Sequence, residues 1–257
     1  MFKMKEKWRL LKTEDNTAST NMAIDRAVLV SCSKGKVSPT VRFYTWKPPA
    51  ISIGYFQSLA EEVDLDICKK LGVDYVRRIT GGGAVFHDNE LTYSIVIPES
   101  HYQIPKNIIE SYGRICGAVM KGLKHLGIES KYAPINDIIT NGKKISGNAQ
   151  TRKAKTVLQH GTVLMDVDVD KMFSLLVVPN EKIKDKMIAD VKQGVTSIKQ
   201  ILGRNINFEE TAKAMKLGFE EEFNVELVKG TLTREEIELS KKYEKECFST
   251  RDWNFRR

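Results

Sequence analysis

Twelve residues, Arg77-Arg78-Ile79-Thr80-Gly81-Gly82-Gly83-Ala84-Val85-Phe86-His87-Asp88, constrain this chain more than any other stretch. They lie between two apolar, β-prone runs, Val73-Asp74-Tyr75-Val76 and Leu91-Thr92-Tyr93-Ser94-Ile95-Val96-Ile97, the second ended by Pro98. Three consecutive glycines between buried strands lose much backbone entropy on folding, so the run makes sense where the backbone must approach another group closely. With Arg77 and Arg78 on its leading edge, an anion suits the loop, since N–H groups and guanidinium forks both favour phosphate or carboxylate. For the glycines alone, a flexible hairpin beside a solvated arginine pair is an equal reading. The whole dodecamer favours a binding loop.

The surrounding chain has the composition of an ordinary globular protein. Its 257 residues can bury one substantial core, and no Pro/Gly/Ser-rich linker divides it; a boundary near Gly203, where strands give way to helices, is the one candidate. No apolar run reaches the ~20 residues that span a bilayer. The charged start, Met1-Phe2-Lys3-Met4-Lys5-Glu6-Lys7, precedes no signal-like apolar segment, so a cytoplasmic location is expected. Cys32, Cys68, Cys116 and Cys247 are scattered without a CxxC pair, which points away from zinc and from a disulfide framework. A net charge of +8 calls for an acidic partner. Nucleic acid is the alternative from another class, but the basic residues interleave with acidic ones and no nucleic-acid-binding motif is present.

Patterning predicts α+β: strands at Trp8–Leu11, Val41–Trp46 and Ala50–Tyr55, then a helix over Val63–Leu71 closed by Gly72. A helix over Asn21–Ser31 carries Ala23, Ala27 and Val30 on one face, with Ser19 or Thr20 as its cap. Pro105 opens a long helix whose stripe runs Ile108, Tyr112, Ile115, Val119, Leu123, Leu126, with Cys116 as packing beside it. Strands follow at Glu129–Tyr132, Asp137–Thr140, Lys144–Ser146 and Thr156–Met165, with Asn141-Gly142 as a hairpin turn. A helix is expected over Asp170–Leu176, stopped by Pro179, then a charged surface helix and loop over Glu181–Lys192, and helices over Val195–Leu202, around Phe208–Phe219, and Thr233–Phe248.

The dodecamer resembles the core motif of the lipoate–protein ligase and octanoyltransferase family, relatives of biotin–protein ligase. Two further blocks carry the likeness, Gly142-Lys143-Lys144-Ile145-Ser146-Gly147-Asn148-Ala149-Gln150 and Leu158-Gln159-His160-Gly161-Thr162-Val163-Leu164. It extends from Asn21-Met22-Ala23-Ile24-Asp25 to Trp253-Asn254. The resemblance implies the biotin/lipoate ligase catalytic fold, of mixed and antiparallel sheets flanked by helices. It also implies a two-step reaction, in which ATP converts lipoate or octanoate to an acyl-adenylate and an acceptor lysine then takes the acyl group.

In that scheme Lys144 is the catalytic residue, bridging the acyl carbonyl and the α-phosphate. Lys143 points to the opposite face if the segment is a strand. The substrate and ATP site takes Arg77, Arg78, Gly81, Gly82, Gly83, Ala84, Val85, His87, Asn136, Ser146, Gly147, Ala149, His160 and Gly161. Arg78 is its cationic edge, with Arg77 less suited because it neighbours Arg78. His87 and His160 read as structural ties rather than acid–base groups. Asp137 helps to hold Mg²⁺, a hard cation that takes oxygen ligands; a simple turn is the other reading of Asn136-Asp137. Gly54-Tyr55-Phe56-Gln57 falls where family members carry a loop over the acyl pocket, although Tyr55 and Phe56 read equally as core.

Expected partners are acidic lipoyl-domain proteins, the E2 of 2-oxoacid dehydrogenases and the glycine-cleavage H protein. Only nine residues follow Phe248, so a small accessory subunit is expected to supply what longer ligases carry at their C-terminus. The resemblance divides between two activities. Gln150-Thr151-Arg152-Lys153 and the ending Asp252-Trp253-Asn254 resemble cysteine-dependent octanoyltransferases, which take octanoate from acyl carrier protein without ATP. The interval Tyr132-Ala133-Pro134-Ile135-Asn136-Asp137, where those enzymes place their cysteine, has none. On that ground the ligase is the expected activity and the octanoyltransferase the alternative.

Overall fold

The two apolar runs before and after the dodecamer, ending at Val76 and starting at Leu91, belong to different sheets, and the space between those sheets is where the site forms. The computed structural model describes residues 5–177 and 181–256. In chain order, β1 (Glu6–Asn16), α1 (Ala18–Ser33), β2 (Thr40–Trp46) and β3 (Ala50–Ile53) lead into the short helices α2 (Leu59–Glu62) and α3 (Leu65–Leu71). Then come β4 (Asp74–Arg77), β5 (Val85–His87), β6 (Glu90–Pro98) and the long helix α4 (Ile108–His125). Next are β7 (Lys131–Ala133), β8 (Asp137–Thr140), β9 (Lys143–Lys153), β10 (Thr156–Leu164), α5 (Val169–Ser174) and α6 (Glu181–Gly194). The chain continues through α7 (Ile198–Leu202), α8 (Phe208–Phe223), β11 (Val225–Lys229), α9 (Arg234–Tyr243), a π-helical turn Glu244–Phe248 and α10 (Arg251–Asn254).

Eight strands form one sheet in the order β11-β1-β2-β6-β10-β9-β8-β7, and three form a second, β4-β3-β5. Helices α4 and α8 cover one face of the large sheet, burying Phe43, Tyr93, Ile115, Val119, Met215 and Phe219 in a common core. The two helices approach closely because of glycine: a Cβ on Gly218 would fall 2.3 Å from the backbone nitrogen of Gly122. Helix α1 and the C-terminal segment cover the other face, with Met22, Leu29, Tyr44, Leu158 and Phe248 in a second core. Buried on both faces, β6 and β10 read as near-continuous buried runs rather than alternating ones.

The α+β expectation is met, and several elements differ in detail. The glycine run does not close a hairpin, because β5 intervenes and pairs antiparallel with β3. Pro105 does not start the long helix: Asn107 caps it, accepting from the N–H groups of Ile109 and Glu110, and Ile108 is exposed. Helix α1 begins at Ala18 under a Thr17 cap, one turn earlier than its apolar face suggests. The helix expected over Val63–Leu71 starts at Leu65 under an Asp64 cap, and a separate turn, α2, precedes it. Strand β9 continues past Ser146 to Lys153, and β11, not foreseen, pairs parallel with β1. Asn141 and Gly142 both take positive φ, as their hairpin requires. Pro179 lies outside the described residues. No helix among them is long and apolar enough to cross a membrane.

Candidate active site

A cavity of about 170 Å³ lies between the small sheet and the large one. One wall comes from Ser52, Arg78, Gly82, Gly83, Ala84, Val85 and His87; the other from Tyr44, Trp46, Thr92, Gly147, Asn148, Ala149, His160, Gly161 and Thr162, with Met22 of α1. Lys144 and Asn136 complete the lining. Ser52, Arg78, His87 and Thr92 are buried, whereas the Lys144 side chain is 40% exposed, so Lys144 marks the mouth.

The glycine loop is held by Arg78, whose five N–H groups are all taken inside the protein. Nε donates to Thr80 Oγ1 (3.3 Å), Nη1 to the Ser52 carbonyl and hydroxyl (both 2.8 Å), and Nη2 to the carbonyls of Gly81 (2.9 Å) and Gly83 (3.0 Å). Burial lowers its pKa to about 10, which still leaves it charged at neutral pH. Arg78 therefore pins the loop from within and is not the anion-binding edge that its sequence position suggests. Gly82, at φ +97°, turns the chain above it.

Arg78 also anchors two relays of similar build. Its partner Thr80 lies 2.7 Å from His160 Nε2, and His160 Nδ1 lies 3.4 Å from Asp25 Oδ2. Its partner Ser52 lies 2.7 Å from His87 Nε2, and His87 Nδ1 lies 2.6 Å from Glu90 Oε1. Burial lowers the His160 pKa against the pull of Asp25, keeping the imidazole neutral. Burial of Asp25 opposes its ionisation, but Arg42 at 2.7 Å and the bonds from His160 and Ser94 outweigh it, holding the carboxyl below its ordinary range. The ionised Asp25 only accepts, so His160 donates through Nδ1 and receives the Thr80 proton at Nε2. Both histidines tie the loop to neighbouring strands, as expected.

Ser52, His87 and Glu90 have the spacing of a hydrolytic relay. However, Ser52 accepts from Arg78 and is fully enclosed, so its hydroxyl is a structural link rather than a nucleophile.

Arg77 faces the opposite way. Its guanidinium donates to the carbonyls of Gly54, Tyr55, Gln57, Trp253 and Asn254, joining the C-terminal helix to the loop after β3. It does not line the cavity, and neither do Gly81, Ser146 or Asp137. Tyr55 and Phe56 are not part of the lining either; Gly54, just before them, packs on the loop. Strand register explains Ser146: pairing between β8 and β9 shifts between Ile138 and Ile139, leaving Lys144 on the cavity with Gly147 and Ala149 while Ser146 is buried elsewhere. Lys143 is absent from the lining, as expected.

At the mouth, Lys144 Nζ sits 2.7 Å from Asp137 Oδ1, a close ion pair rather than an aligned hydrogen bond. Gly147 makes room for it, since a Cβ there would lie 2.8 Å from both Cε and Nζ of Lys144. Asp137 is thus engaged by a cation, and no cluster of three metal-binding side chains occurs among the described residues. These residues do not form a divalent-cation site by themselves; Asp137 offers the single carboxylate that Mg²⁺ can take beside substrate phosphates. No thiol lines the cavity. Burial pushes the Cys32 and Cys68 thiols up to about 11 and Cys116 to about 12.

The lining residues not anticipated are Met22, Tyr44, Trp46, Ser52, Thr92, Asn148 and Thr162. Tyr44 and Trp46 share one face of β2 by simple alternation, a signal that was available. Ser52 and Thr92 come together only once two sheets face each other.

The family model for the lipoyl protein ligase A/B catalytic domain matches residues 17–220. The chain belongs to that family. Octanoyltransferase LipM of Brevibacillus brevis is 38% identical over 275 residues, covering 98% of this chain and 100% of the relative. LipM of Clostridioides difficile is 40% identical over 270 residues, covering 97% and 99%. Among solved structures, a bi-partite lipoate protein ligase described with its E2 lipoyl domain from Thermoplasma acidophilum aligns with a TM-score of 0.89 at 31% identity, covering 97% of this chain and 96% of that one. A lipoate-protein ligase A bound with ATP aligns at 0.84 and 29%, covering 97% and 98%. The family is as expected, but the relatives' names favour octanoyl transfer over the ATP-dependent ligase.

Proposed function

We propose that this chain moves an eight-carbon acyl group of the octanoyl or lipoyl type onto a lysine of an acceptor protein, and that octanoyl transfer from a carrier thioester is its first activity. The observation that carries the reading is Lys144, a half-exposed ammonium at the mouth of a small, half-open cavity. An acyl chain in the cavity brings its carbonyl to that ammonium. Attack by the acceptor amine forms the C–N bond, Lys144 stabilises the oxyanion, and collapse breaks the C–S bond, the departing thiolate taking the proton released from the amine. The relatives' name supports octanoyl as the cargo.

A specific observation favours a second reading, ATP-dependent ligation. None of the four thiols touches the cavity, so an acyl-cysteine intermediate lacks its nucleophile. The same carbonyl position serves an acyl-adenylate, whose C–O bond breaks instead. ATP would be the co-substrate in that case, and an accessory subunit belongs with this reading alone. The test is acylation of a lipoyl domain, followed by intact mass, with octanoyl-acyl carrier protein alone, with octanoate plus ATP, and with lipoate plus ATP. Product from the thioester without ATP supports the first reading; product only with ATP supports the second; none from any donor rejects both.

A further inference from the structure

Beside the glycine loop, outside the cavity lining, two cations meet over one aromatic ring, and a third, Arg26, stacks nearby on the Tyr243 ring at 4.2 Å. Lys153, at the end of β9, places Nζ 5.1 Å from the Tyr55 ring centre. Arg256 places Cζ 4.6 Å from the same ring and 5.2 Å from that of Trp253. Tyr55 packs edge-on to Trp253 and to Phe56, which is 65% exposed. Arg26 of α1 donates to Cys247 Sγ (3.4 Å) on the adjoining π-helical turn. Phe248, the next residue, packs edge-on to Trp253 at 5.6 Å, which brings Arg26 to the same corner as Arg256 and Lys153.

Across the described residues, cations such as Lys12, Lys36, Lys121 and Lys199 pair with carboxylates. Arg26, Lys153 and Arg256 have no carboxylate partner among those residues. Stacking on aromatic rings holds Lys153 and Arg256 in place, so an incoming anion meets charges that are already ordered.

The collar lies within reach of the mouth. Gly54, next to Tyr55, packs on the carbonyl of Gly82, and Tyr55 N donates to Thr80 O at 2.8 Å. Ala149 on the cavity and Lys153 are four residues apart on one strand, about 13 Å at ~3.3 Å per residue. A protein interface of ordinary size, ~800 Å² per partner, extends about 16 Å from its centre.

We propose that Lys153 and Arg256 on the Tyr55 and Trp253 rings, with Arg26 on the adjoining Tyr243, form the docking face for an acidic protein, the one that presents the acceptor lysine. This rests on the proposed function. Acyl transfer from a carrier thioester and from an adenylate both require a lysine-bearing protein at the mouth, whereas a carrier protein is required by one alone. Carboxylates complement the unpaired cations, and an aromatic–arginine centre is what protein interfaces select.

The test compares a Lys153→Glu/Arg256→Glu variant with a remote Lys213→Glu/Lys229→Glu variant of equal net charge. Direct binding of a lipoyl domain is measured beside its KM and the KM of the acyl donor. At about 50 mM salt the collar variant should weaken acceptor Kd and raise acceptor KM by roughly tenfold or more, with kcat and donor KM unchanged. The remote variant should stay within about twofold, and the gap should narrow at about 500 mM salt. Lys153→Gln/Arg256→Gln should fall between, which separates lost attraction from misfolding. Equal effects of the two reversals, a shift in donor KM instead, or no salt-dependent binding by the wild type would each overturn the proposal. If the wild type binds the domain but acylates nothing, the proposed function fails while the docking face stands.

Discussion

Lys144 Nζ, at the mouth of the cavity, lies 2.7 Å from Asp137 Oδ1 just outside the lining. The ammonium is thus paired with one carboxylate at the mouth, an arrangement suited to an oxygen that gains charge during acyl transfer. Lys144→Ala should fold normally and lose ~3–4 kcal/mol of transition-state stabilisation, read as a fall in kcat/KM. Lys143→Ala should keep near wild-type turnover. Reversal of that order would show that the wrong lysine has been assigned.

Room at the glycine loop is distributed unevenly. A Cβ on Gly54 would fall 1.9 Å from the Gly82 carbonyl oxygen, whereas one on Gly81 meets nothing within 4 Å. Gly54→Ala should therefore displace the loop and destabilise the protein by at least ~1–3 kcal/mol in urea unfolding. Gly81→Ala should be far milder. Equal stability losses in the two variants would contradict this packing.

Ser52 and Thr80 receive Arg78 on one side and pass to a histidine on the other. Thr80→Val keeps the shape and leaves Arg78 Nε and His160 Nε2 without partners, at a cost of ~1–3 kcal/mol for each unsatisfied group. Thr80→Ser should retain most of the stability. A neutral Thr80→Val would mean that water replaces the hydroxyl.

The buried relay also sets a pH dependence. His160 is held below its ordinary pKa of 6.5 in the fold, so the unfolded chain binds its proton first as pH falls. Its contribution is complete above that value and is lost as pH drops from 6.5 toward the lower folded value. Asp25 is depressed too, so its share is kept until pH falls below its ordinary 3.8. Unfolding free energy of the wild type should decline as pH falls below 6.5, and His160→Gln should flatten that slope. An unchanged slope would place the titrating group elsewhere.

Much of the site was legible because its residue types have few other uses. A glycine triplet between strands announced close approach, Lys144 and Lys143 separated by alternation, and both histidines read as ties. The arginine roles were not legible. Whether Arg78 offers donors to a ligand or spends them on carbonyls depends on where Ser52, Gly81 and Gly83 lie, and Ser52 comes from a strand 26 residues away. The strands on either side of the glycines each look like half of a hairpin, and only β3, paired with both β4 and β5, reveals the second sheet. β11 was missed because Val225-Glu226-Leu227-Val228-Lys229 is short and gains its stability by pairing with β1, more than 200 residues earlier.

The central claim is that Lys144, at the mouth of this cavity, drives acyl transfer to an acceptor lysine. It is tested most directly by the intact mass of a lipoyl domain after incubation with octanoyl-acyl carrier protein, or with octanoate and ATP. Wild-type protein should add one octanoyl group from at least one of these donors, a Cys32, Cys68, Cys116 and Cys247 to Ser variant should do the same, and Lys144→Ala should add none in the same time. A folded wild type that adds nothing from either donor, or a Lys144→Ala variant as active as wild type, would contradict the claim.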